Sequence, residues 1–249
     1  MGNNKEYQKW LEIVENDGFE LKNVPEDLKT YKMCKNAVNK AGYALQWVPE
    51  EFKTKELCEM AVTRPYEALE YVPEHMKTKK LCELAVSSKG TDLRFVPREL
   101  ITLELCEKAV DQDYYNSEVF RFVPEEFKTF EMCNLVVQQS GRNLEYVPEH
   151  LKTYEMCEMG VEDKYGFALQ YVPDEFRTPE LCEKAVMDEI WNLKHVPEEL
   201  RTLELCEMAI EKCRYWDNSS TMLMDVPEEF QEELAEKYDI DLPEKSKGR

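Results

Sequence analysis

TKELCEMAV, residues 54–62, recurs almost letter for letter as TLELCEKAV at 102–110 and as TLELCEMAI at 202–210. Wound as a helix, Leu57, Cys58, Ala61 and Val62 stand at i, i+1, i+4 and i+5 and gather on one stripe, while Glu56, Glu59 and Thr63 face the other way. Thr54 is placed to cap the N-terminus, and Glu56 suits the positive end of the helix dipole. At 178–182 the string reads TPELC, which puts Pro179 at the first helical position, where its missing N–H costs nothing.

Outward from this string, the dipeptide Val-Pro occurs nine times, beginning at Val24, Val48, Val72, Val96, Val123, Val147, Val172, Val196 and Val226, at spacings of 24, 24, 24, 27, 24, 25, 24 and 30. Each unit runs from Val-Pro through an acidic pair, a basic-Thr turn and the Leu-Cys helix to a variable stretch and a Leu-x-aromatic close, such as LEY at 69–71 and 144–146. The close and the PEEF segment predict a second, shorter helical element, redirected at proline. A 24-residue unit cannot enclose a core alone, so neighbours must stack. The expected fold is all-α: an α-solenoid of about eight 24-residue helical repeats over 24–225. A capping half-repeat precedes it at 1–23, marked by Val14, Gly18 and Leu21, and a C-terminal cap with a charged tail follows at 226–249.

The LCxxAV segment, the small-residue loop, the ALxY close and the hydrophobic-basic-Thr turn together resemble the short bacterial helical repeats of the domain of unknown function 4116 type, over roughly residues 7–235. This chain departs in placing Cys where an aliphatic residue is usual and in fixing Val-Pro before the acidic pair. The resemblance implies the fold and carries no activity.

Hydrophobic residues make up 43% of the chain and charged residues 34%, which suits a folded, water-soluble protein. No stretch approaches the run of about 20 apolar residues that spans a bilayer, so no membrane partner is expected. The opening MGNNKEYQKW lacks an apolar signal core, and Glu6 stands where a myristoylation motif after Gly2 wants Ser or Thr. The expected location is the cytoplasm. With 52 acidic against 32 basic side chains the net charge is −20, which repels a nucleic-acid backbone and attracts a basic protein.

Cys34, Cys58, Cys82, Cys106, Cys133, Cys157, Cys182 and Cys206 each lie ten residues after their Val. Stacked helices about 9 Å apart hold such a column too far apart for disulfides, and four thiolates cannot converge on one zinc. The expectation is a small buried slot beside Leu and Ala, with Cys213, off the column, partly exposed. His75 and His150 share one repeat position, and His195 replaces a closing aromatic; none has a local triad partner. Gly-rich phosphate loops are absent, and carboxylate pairs such as Glu50 and Glu51 are too repetitive for one to be special. No enzymatic activity, cofactor or metal is expected.

Three surface columns remain. Glu56 with Glu59, Glu104 with Glu107, Glu155 with Glu158, Glu180 with Glu183 and Glu204 with Glu207 would form a negative strip on the outer helix face. Lys29, Lys53, Lys77, Lys128, Lys152, Arg177 and Arg201 would partly offset it. Tyr43, Tyr66, Tyr115, Tyr165, Trp191 and Trp216 form a variable aromatic column, and the longest departures from the period, 111–120 and 211–224, add Tyr114 and Tyr215. Insertions in solenoids emerge on one face, where aromatics anchor partners; the alternative is that these rings fold back onto the next unit. Trp47, Tyr71, Phe95, Phe122, Tyr146 and Tyr171 are expected in the core. The favoured function is a non-enzymatic binder of one basic, nucleic-acid-handling protein, in its sharpest form an inhibitor such as a phage anti-defence protein. The rival is RNA or DNA binding along the Lys/Arg column.

Overall fold

A computed structural model of the chain describes residues 2–64, 68–112, 117–163, 167–213 and 219–242. Among them there is no strand. The α-helices are α1 (Gly2–Asn16), α2 (Tyr31–Lys40), α3 (Lys55–Val62), α4 (Lys79–Ser88), α5 (Leu103–Gln112), α6 (Phe130–Gln139), α7 (Tyr154–Val161), α8 (Pro179–Asp188), α9 (Leu203–Cys213), α10 (Ser219–Leu223) and α11 (Glu228–Tyr238). The chain divides into two compact units, Met1–Phe127 and Lys128–Arg249. In the first, α1 packs on α2, α2 on α3, α3 on α4 and α4 on α5; in the second, α6 packs on α7, and so on in order to α11. Each unit is an all-α repeat stack, as the Val-Pro period requires.

One repeat explains the rest. The Thr54 hydroxyl accepts from the Leu57 N–H at 3.3 Å and so fixes where α3 begins. Thr30, Thr78, Thr102, Thr129, Thr153, Thr178 and Thr202 do the same for their own helices. Leu57, Cys58, Ala61 and Val62 are buried, and their equivalents form the core of each unit. The second element is not α-helical but a pair of 3-10 helices, Gly42–Trp47 and Glu50–Phe52, separated by Val48-Pro49. Proline has no N–H to continue the first, and its fixed φ of −53° leads into the second.

Close packing sets the glycines. A Cβ on Gly42 would stand 2.1 Å from the Ala61 carbonyl oxygen of α3, and one on Gly141 would stand 2.0 Å from the Gly160 oxygen of α7. The 3-10 helix therefore meets the following α-helix backbone to backbone. Where the third 3-10 position is not Ala, as at Asn143 and Asn192, the buried amide donates to the Val136 and Ala185 carbonyls near the end of the preceding α-helix, at 2.7 and 3.0 Å.

Two sequence expectations are corrected. Cys213 is buried, because α9 extends to it and its place four residues after Ala209 and seven after Cys206 returns it to the apolar stripe. The closing aromatics are only half-buried, because they end a 3-10 helix that meets solvent on one side. The core position in each close is the Leu two residues earlier, such as Leu45, Leu69 and Leu144.

Candidate interaction surface

Glu56, Glu104, Glu107 and Glu155 are exposed and Glu59 and Glu158 half-exposed, so the outward helix face is where the period put it. It is not a continuous acidic strip. Lys35 of α2 binds Glu56 of α3 at 2.8 Å and holds that carboxyl below the ordinary carboxylate range. Lys184 of α8 reaches back to Glu158 at 3.6 Å and to Glu162, and Lys237 of α11 binds Glu207 of α9. These ion pairs between adjacent helices are exposed, and each contributes little to stability.

The Lys/Arg column is set in from the surface: Lys77, Lys128, Arg177 and Arg201 are half-buried. Lys29, Lys53 and Lys152 are buried, each 8% exposed. Their ammonium groups bind the glutamate three residues earlier, Lys29 to Glu26 at 2.5 Å, Lys53 to Glu50 at 2.6 Å and Lys152 to Glu149 at 2.7 Å. Lys29, Lys77, Lys128 and Lys152 also donate to the backbone carbonyl of the next closing aromatic: Trp47, Phe95, Tyr146 and Tyr171. Arg201 spends its guanidinium on the Val196, Asp225 and Lys194 carbonyls. Lys29, Lys53 and Lys152 are therefore not free surface cations.

What is exposed in every repeat is the residue pair after proline: Glu26 and Asp27, Glu50 and Glu51, Glu74 and His75, Arg98 and Glu99, Glu125 and Glu126, Glu149 and His150, Asp174 and Glu175, Glu198 and Glu199, Glu228 and Glu229. The first acid commonly holds the buried lysine. Asp27, Glu51 and Glu99 in the first unit, and Glu175, Glu199 and Glu229 in the second, enter no ion pair with a described residue. In the second unit Glu198, Glu199, Pro227, Glu228, Glu229 and Glu232 line a groove of about 940 Å³. Sequence reading passed over this row because it weighed the pairs for catalysis only. The signal was their fixed place after a proline that turns the chain outward. The charge is uneven, 24 acidic against 18 basic residues in the first unit and 28 against 14 in the second.

The third surface is the row of 3-10 helices. Tyr43 is half-buried and packs on Phe19 (5.6 Å between centroids), Trp47 (5.2 Å) and Tyr71 (5.3 Å), so this ring folds onto its neighbours. Burial, then the Glu70 carboxylate and Tyr43 beside it, push the Tyr71 hydroxyl up to about 12. In the second unit, Trp191 is half-buried. Tyr66, Tyr114, Tyr115, Tyr165, Tyr215 and Trp216 lie outside the described residues.

The family model of a domain of unknown function (DUF4116) matches residues 10–53, 102–152 and 163–201, more than half of the chain. The chain belongs to this family. No curated protein and no solved structure is significantly similar to it.

In these DUF4116 repeats the cysteine column is packing. All nine cysteines are free and buried. Desolvation pushes the thiols of Cys34, Cys58, Cys82, Cys106, Cys133, Cys157, Cys182 and Cys206 up to about 11, away from the thiolate that chemistry or zinc would need. Among the described residues no three His, Cys, Asp or Glu side chains converge as a metal site. His75 and His150 are exposed, while burial and the Lys194, Arg177 and Arg201 charges hold His195 below its ordinary value. No described helix is long and apolar enough to cross a membrane.

Proposed function

We propose that this DUF4116 stack is a non-enzymatic protein-binding scaffold that engages a basic partner, a nucleic-acid-handling protein. The observation that carries the reading is the post-proline position, which sets Asp27, Glu51, Glu99, Glu175, Glu199 and Glu229 on the surface in no ion pair with a described residue, whereas Glu126 at the same position is held by Arg98. A net charge of −20 adds a long-range field that steers a cationic surface toward it. In its sharpest form the protein occupies the nucleic-acid channel of such an enzyme as an inhibitor, of which an anti-defence protein of a phage is one kind. Its carboxylates then stand in for phosphates.

The test is affinity isolation from native cells with the wild type and with Glu51→Lys/Glu99→Lys, followed by titration of the recovered partner against salt. The expected result is a basic partner whose association slows in the variant and weakens as ionic strength rises, because exposed charges are screened over about 8 Å at physiological salt. A partner bound equally by the variant and indifferent to salt would reject the reading. So would tighter RNA or DNA binding by the variant with no loss of a protein partner, since added lysines favour phosphate.

A further inference from the structure

The residue just before the closing aromatic differs between repeats, and that difference decides what covers the ring. Arg94 and Arg121 precede Phe95 and Phe122. The Arg94 guanidinium lies 4.4 Å from the Phe95 centroid and 5.7 Å from that of Phe122, and Arg121 lies 5.3 Å from Phe122. Those rings are covered by cations of the chain itself. Gln46 and Glu70 precede Trp47 and Tyr71, and no described cation lies over Trp47, Tyr43 or Tyr71.

The uncovered patch is organised. Tyr43 stands nearly perpendicular to Trp47 (84°) and to Tyr71 (85°), an edge-to-face packing that fixes all three rings. Glu70 is exposed, sits beside the Tyr71 hydroxyl and forms no ion pair with a described residue. An aromatic face attracts a cation through its quadrupole, most strongly for Trp, and a guanidinium both stacks on the ring and pairs with a carboxylate.

We propose that Tyr43, Trp47, Tyr71 and Glu70 form a receptor for an arginine side chain of the partner, seated over the rings as Arg94 and Arg121 are seated over Phe95 and Phe122. The inference rests on the basic-partner reading and deepens it by naming the side chain and its seat. A nucleic acid could also stack on half-buried rings, but the exposed Glu70 carboxylate opposes a phosphate backbone.

The test titrates the full chain, at physiological salt, with a twelve-residue alternating arginine–glycine peptide. The readouts are the Trp47 indole N–H resonance, assigned with Trp47→Phe, and the affinity by calorimetry. The proposal expects the Trp47 signal to move and saturate, with no response to the same peptide carrying citrulline. Gln46→Arg, which installs the covering cation of the later repeats, should weaken binding about tenfold, and Glu70→Gln about threefold, a loss that does not depend on how Gln46→Arg folds. Peptide binding that leaves Trp47 unmoved and both variants at wild-type affinity overturns the receptor while the acidic-scaffold reading stands. No binding of the arginine peptide overturns both. Equal binding of the citrulline peptide, or displacement of the arginine peptide from Trp47 by a twelve-nucleotide uridine oligomer, overturns the receptor.

Discussion

The buried Lys29 ammonium donates to the backbone carbonyl of Trp47, 3.0 Å away at the close of the same repeat. That carbonyl ends a 3-10 helix and has no helical N–H to accept, so a side chain from the start of the repeat satisfies it. The same bond recurs at 3.1 Å from Lys77 to Phe95 and at 2.7 Å from Lys152 to Tyr171. It ties the opening turn of a repeat to its close through polar groups, while the Leu-Cys-Ala-Val stripe supplies the apolar contacts.

Removing this donor should be costly. Lys152→Met leaves the Tyr171 carbonyl without its partner and should destabilise the chain by about 1–3 kcal/mol, measured by urea unfolding. Lys152→Arg should cost less, because Arg177 and Arg201 occupy the same repeat position and bind backbone carbonyls there. Equal losses for the two variants would show that the bond is not what holds the seam.

The thiols should be silent in the native protein. With the column held at about 11 by desolvation, a disulfide reagent at pH 8 should label none of the nine cysteines, Cys213 included, until denaturant is added. Rapid labelling of several column cysteines in the native state would contradict their burial.

Gly141→Ala tests the backbone contact between a 3-10 helix and the following α-helix. The new methyl would stand 2.0 Å from the Gly160 oxygen and 2.8 Å from its carbonyl carbon. Backbone atoms cannot rotate away as a side chain can, so the repeats must separate. A loss of about 1–3 kcal/mol is expected in thermal or urea unfolding, and an unchanged midpoint would refute the close approach.

The last helix should loosen in acid. Lys237 and the Tyr238 hydroxyl, the latter 2.7 Å away, hold Glu207 below its ordinary 4.5. Because the folded value is the depressed one, the contact stabilises the docking of α11 above about pH 4.5 and is lost as pH falls through the lower folded value. Hydrogen exchange across α11 should therefore quicken at acid pH in the wild type, and Glu207→Gln should flatten that dependence.

The sequence by itself determined the repeat. The Val-Pro period, the Thr cap before each helix and the Leu-Cys-Ala-Val stripe at helical spacing are local features, and each leads to one all-α unit that must stack. The buried role of Cys58 and its equivalents was legible for the same reason. The facing of side chains at the seams was not. Lys29 five residues after Val24 reads as a surface residue, since its acceptor is the carbonyl of Trp47 eighteen residues on, and the two meet only once the repeat folds back on itself. The closing aromatics read as core, yet a 3-10 helix turns them half toward solvent, where Arg94 covers Phe95 and no described cation covers Trp47. Local hydrophobic pattern fixes which residues must leave water. Which polar groups they meet when they do depends on contacts between residues far apart in sequence, and these only the tertiary structure decided.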